Sequence, residues 1–389
     1  MAQWFPRNMV GRAEGFYAGW GNFGSAWAAM TLPWLGITFF GEWLGLGDDG
    51  WRWALAFNAA ICLIYGILYF FLVRDLPGGK KFEGAKKTEP MTVTSYGDLI
   101  QYLVWSIPLV GAMAVLTWRL SSVKIGDQTL LSSTMVWTIY AVLTLIYVAH
   151  VAKTLQVNLP VLRAGVPPEE RYHWGSVAAL NSTYFANFGA ELAVVSMLPM
   201  FFETTFKSLR AADGNYIMTA TLAGLIAASF AFVNLFARPL GGLLSDTMKN
   251  RKKTMLTYMV GIGLGFLGMA NIGKWAGVSE TGERIVVPTF NGIWWLFVAV
   301  GITILCSMFV QGAEGATFAV IPMIKKKMTG QIAGMAGAYG NVGAVVYLVL
   351  YSLVDSKTFF YIIAAGAFAS FFYCWYALEE PKDAFAEEI

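Results

Sequence analysis

The chain has 389 residues, of which 57% are hydrophobic and only 13% charged, about half the ~25% charged fraction of soluble globular domains. No soluble fold of this length hides so much apolar surface, which excludes a cytosolic enzyme and a nucleic-acid binder. The formal net charge is only +3, and the 2 His and 3 Cys, none in CxxC spacing, indicate no metal centre, cofactor or disulfide framework.

A helix that crosses ~30 Å of hydrocarbon needs about 20 mostly apolar residues. Such stretches lie near 15–40, 51–73, 96–118, 129–152, 175–202, 215–243, 252–272, 292–322, 329–352 and 358–378. Alternation with period two, the mark of a membrane β-barrel, is missing. The fold class read from this pattern is an all-α polytopic membrane protein of about ten transmembrane helices in a lipid bilayer. The first residues do not read as a signal peptide, because Gln3, Pro6, Arg7, Arg12 and Glu14 break any apolar core. Lys and Arg favour cytoplasmic loops. With the N-terminus in the cytoplasm, Lys80, Lys81, Lys86, Lys87, Lys249, Arg251, Lys252, Lys253, Lys325, Lys326 and Lys327 fall inside, and Glu42, Asp48 and Asp49 outside. Both termini are then expected in the cytoplasm, with the protein in the inner (plasma) membrane.

Residues 75–95, opening with Pro77, Gly78 and Gly79, read as a cytoplasmic linker, and 153–174, with Pro160, Pro167 and Pro168, as a second cytoplasmic connection. Between them, 96–152 holds two spans with few polar residues. They read as an inserted, peripheral pair without chemistry of their own.

The most informative pattern occurs twice. Gly11, Gly15, Trp20, Gly21, Asn22 and Gly24 recur, at one constant offset, as Gly330, Gly334, Tyr339, Gly340, Asn341 and Gly343. Trp for Tyr is the only change, and both copies run from the cytoplasm outward. Parallel repeats of whole halves, with a substrate site between them, are a transporter architecture. Gly21 and Gly340 allow close backbone approach to a helix or a ligand. Asn22 and Asn341 either face a substrate or hydrogen-bond across a helix contact.

The fragments Gly19-Trp20-Gly21-Asn22-Phe23-Gly24 and Gly340-Asn341-Val342-Gly343 resemble the two signature motifs of the nitrate/nitrite porters (NarK type) of the major facilitator superfamily. Those motifs lie on the fifth and eleventh helices. Gly242-Leu243-Leu244-Ser245-Asp246, followed by Arg251, resembles the superfamily's cytoplasmic motif between helices 8 and 9, departing from it at Lys249 and Asn250. The resemblance implies a major facilitator-like helical bundle that moves nitrate, nitrite or both by alternating access, as an antiporter or with protons. It also implies a gating ion pair between Asp246 and the basic cluster around Arg251, on a loop that otherwise reads as solvated and positive-inside.

The same resemblance divides the chain. Residues 1–74 correspond to helices 5 and 6, 75–95 to a linker, 96–152 to the inserted pair, 153–174 to a connection, and 175–389 to a complete second half with a short cytoplasmic tail. Trp4-Phe5-Pro6-Arg7 followed by Gly11 resembles the family's loop before helix 5. The expectation is therefore that the family's first four helices are absent here, either because this sequence is partial at its N-terminus or because the natural protein starts here, with a partner subunit as a possible substitute for them.

Arg238 lies well inside an apolar run that begins at Ala227. Burying a guanidinium there costs at least ~2.5–3.5 kcal/mol, so such a residue faces a cavity or a partner. Asp246 follows eight residues later, which puts Arg238 about 12 Å deeper than the cytoplasmic loop, too deep for easy snorkelling. Asn234 is one turn away on the same face, and Tyr184, Phe188 and Glu191 share a face of an earlier span, with Asn187 beside them. The resemblance implies that Arg238 contacts nitrate and that Tyr184 and Phe188 line the cavity. Nitrate is planar and accepts hydrogen bonds at all its oxygens. A guanidinium fork, a phenol hydroxyl, carboxamide N–H groups and an aromatic face complement it.

Glu191 is the candidate for proton coupling, with Glu314 a second carboxyl in an apolar helix; either carries a proton or pairs with another polar group. The patch Gln311-Gly312 and Glu314-Gly315 has no clear role, and His150 and His173 read as interfacial. The rival readings are a transporter of another small anion, a carboxylate or phosphate, and a non-transporting membrane component. No nucleophile–base constellation or phosphate-cradling loop supports an enzyme.

Overall fold

The computed structural model describes residues 4, 7–74, 90–210, 214–248, 250–279, 282 and 284–380, apart from the side chains of 7–12, 14, 246 and 326. Most of the 75–95 linker with its lysines, Lys249 and the tail beyond Glu380 lie outside the described residues.

The helices are α1 (Arg7–Trp34), α2 (Gly50–Leu72), α3 (Tyr96–Ser121), α4 (Ser133–Ala164), α5 (Trp174–Thr205), α6 (Ala220–Phe232), α7 (Asn234–Thr247), α8 (Arg251–Ala270), α9 (Ile293–Ile324), α10 (Thr329–Tyr351) and α11 (Ser356–Ala377). Their starts are marked by side chains that accept an otherwise orphaned backbone N–H. Ser95, Ser132, Thr219, Asn250 and Asp355 do this for α3, α4, α6, α8 and α11. Among the described residues nine stretches are long and apolar enough to cross a membrane, with α6 and α7 forming one of them. The glycine- and tryptophan-rich α1 is the remaining rod. This is a multi-pass, all-α membrane protein.

Several boundaries differ from the sequence expectation. Helix α1 starts at Arg7 rather than near 15 and continues as a π-helix over Leu35–Trp43. Helix α4 runs on to Ala164, so much of the expected 153–174 connection is helical. His150 consequently lies well inside α4, half-buried, with Nε2 3.0 Å from Ser106 Oγ; it is not at a span end. An unforeseen antiparallel hairpin, β3 (Gly273–Val278) with β4 (Arg284–Pro288), joins α8 to α9, and a shorter one, β1 (Lys124–Ile125) with β2 (Gln128–Thr129), joins α3 to α4.

The expected 215–243 span begins at Ala220 and is interrupted at Val233. Pro239, one turn into α7, removes a helix donor. At the interruption the carbonyl of Phe230 accepts from Ser307 Oγ at 2.5 Å and Gln311 Nε2 at 2.6 Å, both on α9. Polar side chains of a neighbouring helix thus satisfy backbone that lipid cannot.

Helix α5 is the hub, buried along most of its length against α10, α11, α6 and α9, while α7 packs on α9 and α1 and α8 on α9 and α11. Helices α3 and α4 are largely exposed, and α3 docks on α10. Trp105 of α3 packs on Tyr339 of α10 with ring centroids 5.3 Å apart, and the Tyr339 hydroxyl donates to the Trp105 carbonyl. Helix α2 is exposed along most of its length.

Candidate functional site

Helices α5, α7, α9 and α10 converge around Arg238, which is only 4% exposed and so lies neither against lipid nor at an aqueous boundary. Its Nη1 pairs with Glu314 Oε2 at 2.5 Å, and its Nη2 donates to the Tyr184 hydroxyl at 2.8 Å. Its guanidinium carbon stands 5.8 Å from the centroid of Phe188. Phe188 in turn stacks on Tyr184, centroids 5.0 Å apart and planes within 14°, and Phe318 meets Tyr184 edge-on. Behind this layer, Asn234 Nδ2 donates to Glu191 Oε1 at 2.5 Å. Asn187 Nδ2 donates to Thr317 Oγ1 at 3.4 Å.

Glycines set these spacings. Gly315 of α9 lies against the carbonyl of Arg238, and Gly241 of α7 against the carbonyl of Gly312; a side chain at either would overlap backbone. On the other side, a Cβ on Gly340 would stand 2.5 Å from Phe188 Cδ1 and 2.8 Å from Tyr184 Cδ1, so α10 presses directly on the aromatic pair. A Cβ on Gly189 would meet Gly343 Cα at 2.7 Å. Small residues of this kind let helix backbones interlock where no water-driven force joins them.

The structure thus brings Arg238, Tyr184, Phe188, Asn234, Glu191 and Gly340 together. Asn234 is engaged with Glu191. Asn341, by contrast, is exposed and its Nδ2 donates to Gly337 of its own helix at 3.1 Å. Gly21 has nothing within 4 Å of the place a Cβ would take. Asn22 Nδ2 is buried with no hydrogen-bond acceptor among the described residues. The two motif copies therefore differ in surroundings: in the first, Gly15 and Gly19 pack on Pro239 and on the Asn234 carbonyl of α7.

In the cytoplasmic motif Gly242 is buried beside Gly315. Arg251 is buried rather than solvated, and its Nη1 donates to Ser245 Oγ at 3.0 Å. The side chain of Asp246, the expected gating partner, lies outside the described residues.

Glu314, read from the sequence as carrying a proton or pairing with another polar group, is the ion-pair partner of Arg238, a partner the sequence did not name. The signal that marks it is the pair of glycines, Gly312 and Gly315, that lets α9 press a carboxyl onto α7. Glu380, just past α11, escaped the sequence reading altogether; it accepts from the backbone N–H groups of Arg251 and Lys252 at 2.8 and 2.7 Å. It places a negative charge at the positive end of α8.

A profile of the Major Facilitator Superfamily matches residues 180–388. The "Nitrate/nitrite transporter NrtP" of Nostoc punctiforme is 40% identical over 390 residues, which cover 99% of this chain and 71% of the relative. The protein of the same name from Picosynechococcus is 38% identical over 426 residues, covering 100% of this chain and 73% of the relative. "High affinity nitrate transporter 2.5" of Arabidopsis thaliana is 34% identical over a shorter stretch, 41% of this chain and 27% of the relative. The chain belongs to the Major Facilitator Superfamily and, within it, to the nitrate/nitrite porters of the NarK type.

Proposed function

We propose that this chain moves nitrate and nitrite across the membrane as a secondary transporter working by alternating access, with the anion held at Arg238. The observation that carries the reading is the buried guanidinium joined to the Tyr184 hydroxyl and flanked by the stacked Phe188 ring. Because the hydroxyl oxygen accepts from Arg238, its own proton is free to donate. A planar, acceptor-only anion then finds a charged fork, a neutral donor and an aromatic face in one place. Gly340 holds the aromatic pair in position, Asn22 offers an unused donor from α1, and Asn234 serves through Glu191.

Gly21 and Asn341 lie on open faces of the two glycine-rich helices, along which the halves slide as they rock. Gly242, Asp246 and Arg251 form the cytoplasmic gate. The lysine-rich turn at Lys325 and Lys327, tied to Glu170 at 2.8 and 3.0 Å, lies in the cytoplasm with both termini, and both hairpins lie outside. The membrane is the inner (plasma) membrane.

The test is uptake of labelled nitrate into vesicles that carry the purified chain, driven by internal nitrite or by an inward proton gradient. Uptake is expected in the wild type and absent in Arg238→Ala. A wild-type chain that moves neither anion under either driving force overturns the reading.

A further inference from the structure

We propose that Asn181 is a second, transient anion contact: its carboxamide, unpaired in the closed arrangement, receives the anion from Arg238 when α10 draws away from α5. This deepens the reading of Arg238 as the anion site and rests on it.

The argument begins with an unmet hydrogen-bonding demand. Asn181 lies in α5 and is 0% exposed, yet neither its Nδ2 nor its Oδ1 has a hydrogen-bond partner. Exchanging the amide nitrogen and oxygen would change nothing, because both positions lack one. Among the described residues no other buried carboxamide leaves both atoms over; Asn22, Asn234 and Gln311 leave one each. The polar neighbours of Asn181 on α5 are engaged. Ser182 Oγ lies 3.0 Å from Ser370 Oγ, Thr183 donates to the Leu180 carbonyl at 3.0 Å, and Asn187 donates to Thr317. A carboxamide that makes none of its bonds in a dry interior destabilises the arrangement that encloses it. A leucine of nearly the same size would carry no such penalty.

Position ties this residue to the site. Asn181, Tyr184 and Phe188 follow i, i+3, i+7 spacing and share one face of α5. At 1.5 Å per residue, Asn181 stands about 4.5 Å along the axis from Tyr184, toward the start of the helix. That end of the bundle is where Lys325 and Lys327, just before α10, are tied to Glu170, just before α5. Helices α5 and α10 therefore start together, and α9 ends beside them. Gly340 of α10 and Phe318 of α9 both meet Tyr184. One turn nearer the tied end, helical spacing brings up Ala336 and Gly337 on α10 and Ile321 and Pro322 on α9. None of these four carries a side-chain donor or acceptor, which is why the amide stays unpaired while the helices are closed.

Opening at that end supplies what is missing. When α10 moves off α5, the Gly340 contact with the aromatic pair is released and Asn181 is uncovered one turn from the Tyr184 hydroxyl. An anion leaving the Arg238 fork then accepts from Nδ2, and Oδ1 accepts from water that enters with it. Nitrate and nitrite oxygens accept hydrogen bonds, so the amide N–H suits them where a carboxylate would repel. The closed state keeps an unmet donor, and the open state meets it. The contact thus favours release on that side without tightening the hold of Arg238.

Turnover and stability together test this. Uptake of labelled nitrate into vesicles carrying the full chain, driven by internal nitrite, should fall about tenfold at saturating nitrate in Asn181→Leu, the effect of losing one hydrogen bond to an ion. Nitrate binding to the same variant in detergent, read by calorimetry, should stay within about threefold of wild type, because the contact forms only after the anion leaves Arg238. The unfolding midpoint of Asn181→Leu should rise, since the unpaired amide is gone. Asn181→Ser keeps a donor and should recover part of the turnover. Wild-type turnover in the leucine variant, a midpoint no higher than that of the wild type, failure of the leucine variant to fold, or a serine variant no faster than the leucine one each overturns the proposal. Uptake that survives Asn181→Leu but not Arg238→Ala overturns this inference alone, whereas a wild type that moves neither anion overturns the reading of Arg238 as well.

Discussion

The backbone carbonyl of Arg238 rests on Gly315, so closely that a methyl group at that glycine would overlap the oxygen; the amide nitrogen of Gly242 would stand 3.1 Å from the same methyl. This backbone contact between α7 and α9 sets the distance at which Glu314 reaches the guanidinium. The ion pair is a consequence of a glycine as much as of two charges.

Gly315→Ala should therefore force α7 and α9 apart. Overpacking of this kind costs about 1–3 kcal/mol or more. Thermal unfolding of the detergent-solubilised chain should show a lowered midpoint. Gly301→Ala, on the same helix with nothing within 4 Å of the added methyl, is the control. It should be neutral or stabilising by up to about 1 kcal/mol, since alanine favours helix over glycine. Equal losses in both variants would refute the contact.

Gly340→Ala should push against Phe188 and Tyr184, whose ring atoms lie 2.5 and 2.8 Å from the new Cβ. Nitrate affinity is expected to fall about tenfold, the effect of losing about 1.4 kcal/mol at the site. The matching position of the other motif copy, Gly21, is open, so Gly21→Ala should leave affinity within about twofold by the same scale. Titration of both variants with nitrate decides the matter.

Arg238→Lys keeps the charge but removes the fork that reaches Glu314 and Tyr184 together. Losing a charge-assisted hydrogen bond costs about 1.5–3 kcal/mol, or about 10- to 100-fold in anion affinity. Tyr184→Phe deletes one hydroxyl and should cost less, about tenfold. Initial rates of nitrate uptake over a concentration series will order the three proteins. A lysine variant as active as the wild type would mean that the anion meets a point charge rather than a fork.

Asp355, in the turn before α11, accepts from the Thr358 N–H at 3.0 Å, the Thr358 hydroxyl at 2.7 Å and the Trp275 indole at 3.0 Å. Partial burial pushes its pKa up, but these bonds and the charge of Arg284 outweigh that and hold it below the ordinary 3.8. A depressed carboxyl stabilises the fold fully above its ordinary pKa, and the contribution is lost as pH falls through the lower folded value. Asp355→Asn should therefore lessen the acid sensitivity of unfolding below about pH 4, while Asp355→Ala should cost about 0.5–2 kcal/mol at neutral pH. Unfolding midpoints measured from pH 2 to 7 provide the check.

Much of the architecture was readable from local pattern. The apolar stretches mark the helical rods because a helix in lipid satisfies its own backbone and shows its length as a run of apolar residues. Arg238, Asn234, Tyr184, Phe188 and Glu191 could be placed on their faces because helical periodicity is a local property. Helix ends were less legible. The break at Val233 depends on Ser307 and Gln311, which belong to another helix, and the β3–β4 hairpin depends on pairing between strands.

By itself, then, the sequence determined the membrane-spanning class, the repeated glycine–asparagine motif and the faces on which the polar residues ride. Only the tertiary structure decided which of those faces meet. It paired Arg238 with Glu314, turned Asn234 toward Glu191, sent Tyr339 to the docked α3 and left Asn341 and Gly21 open. The reason is that hydrophobic period and residue type are written along one helix, whereas the partner of a buried charge is set by how closely two distant backbones approach.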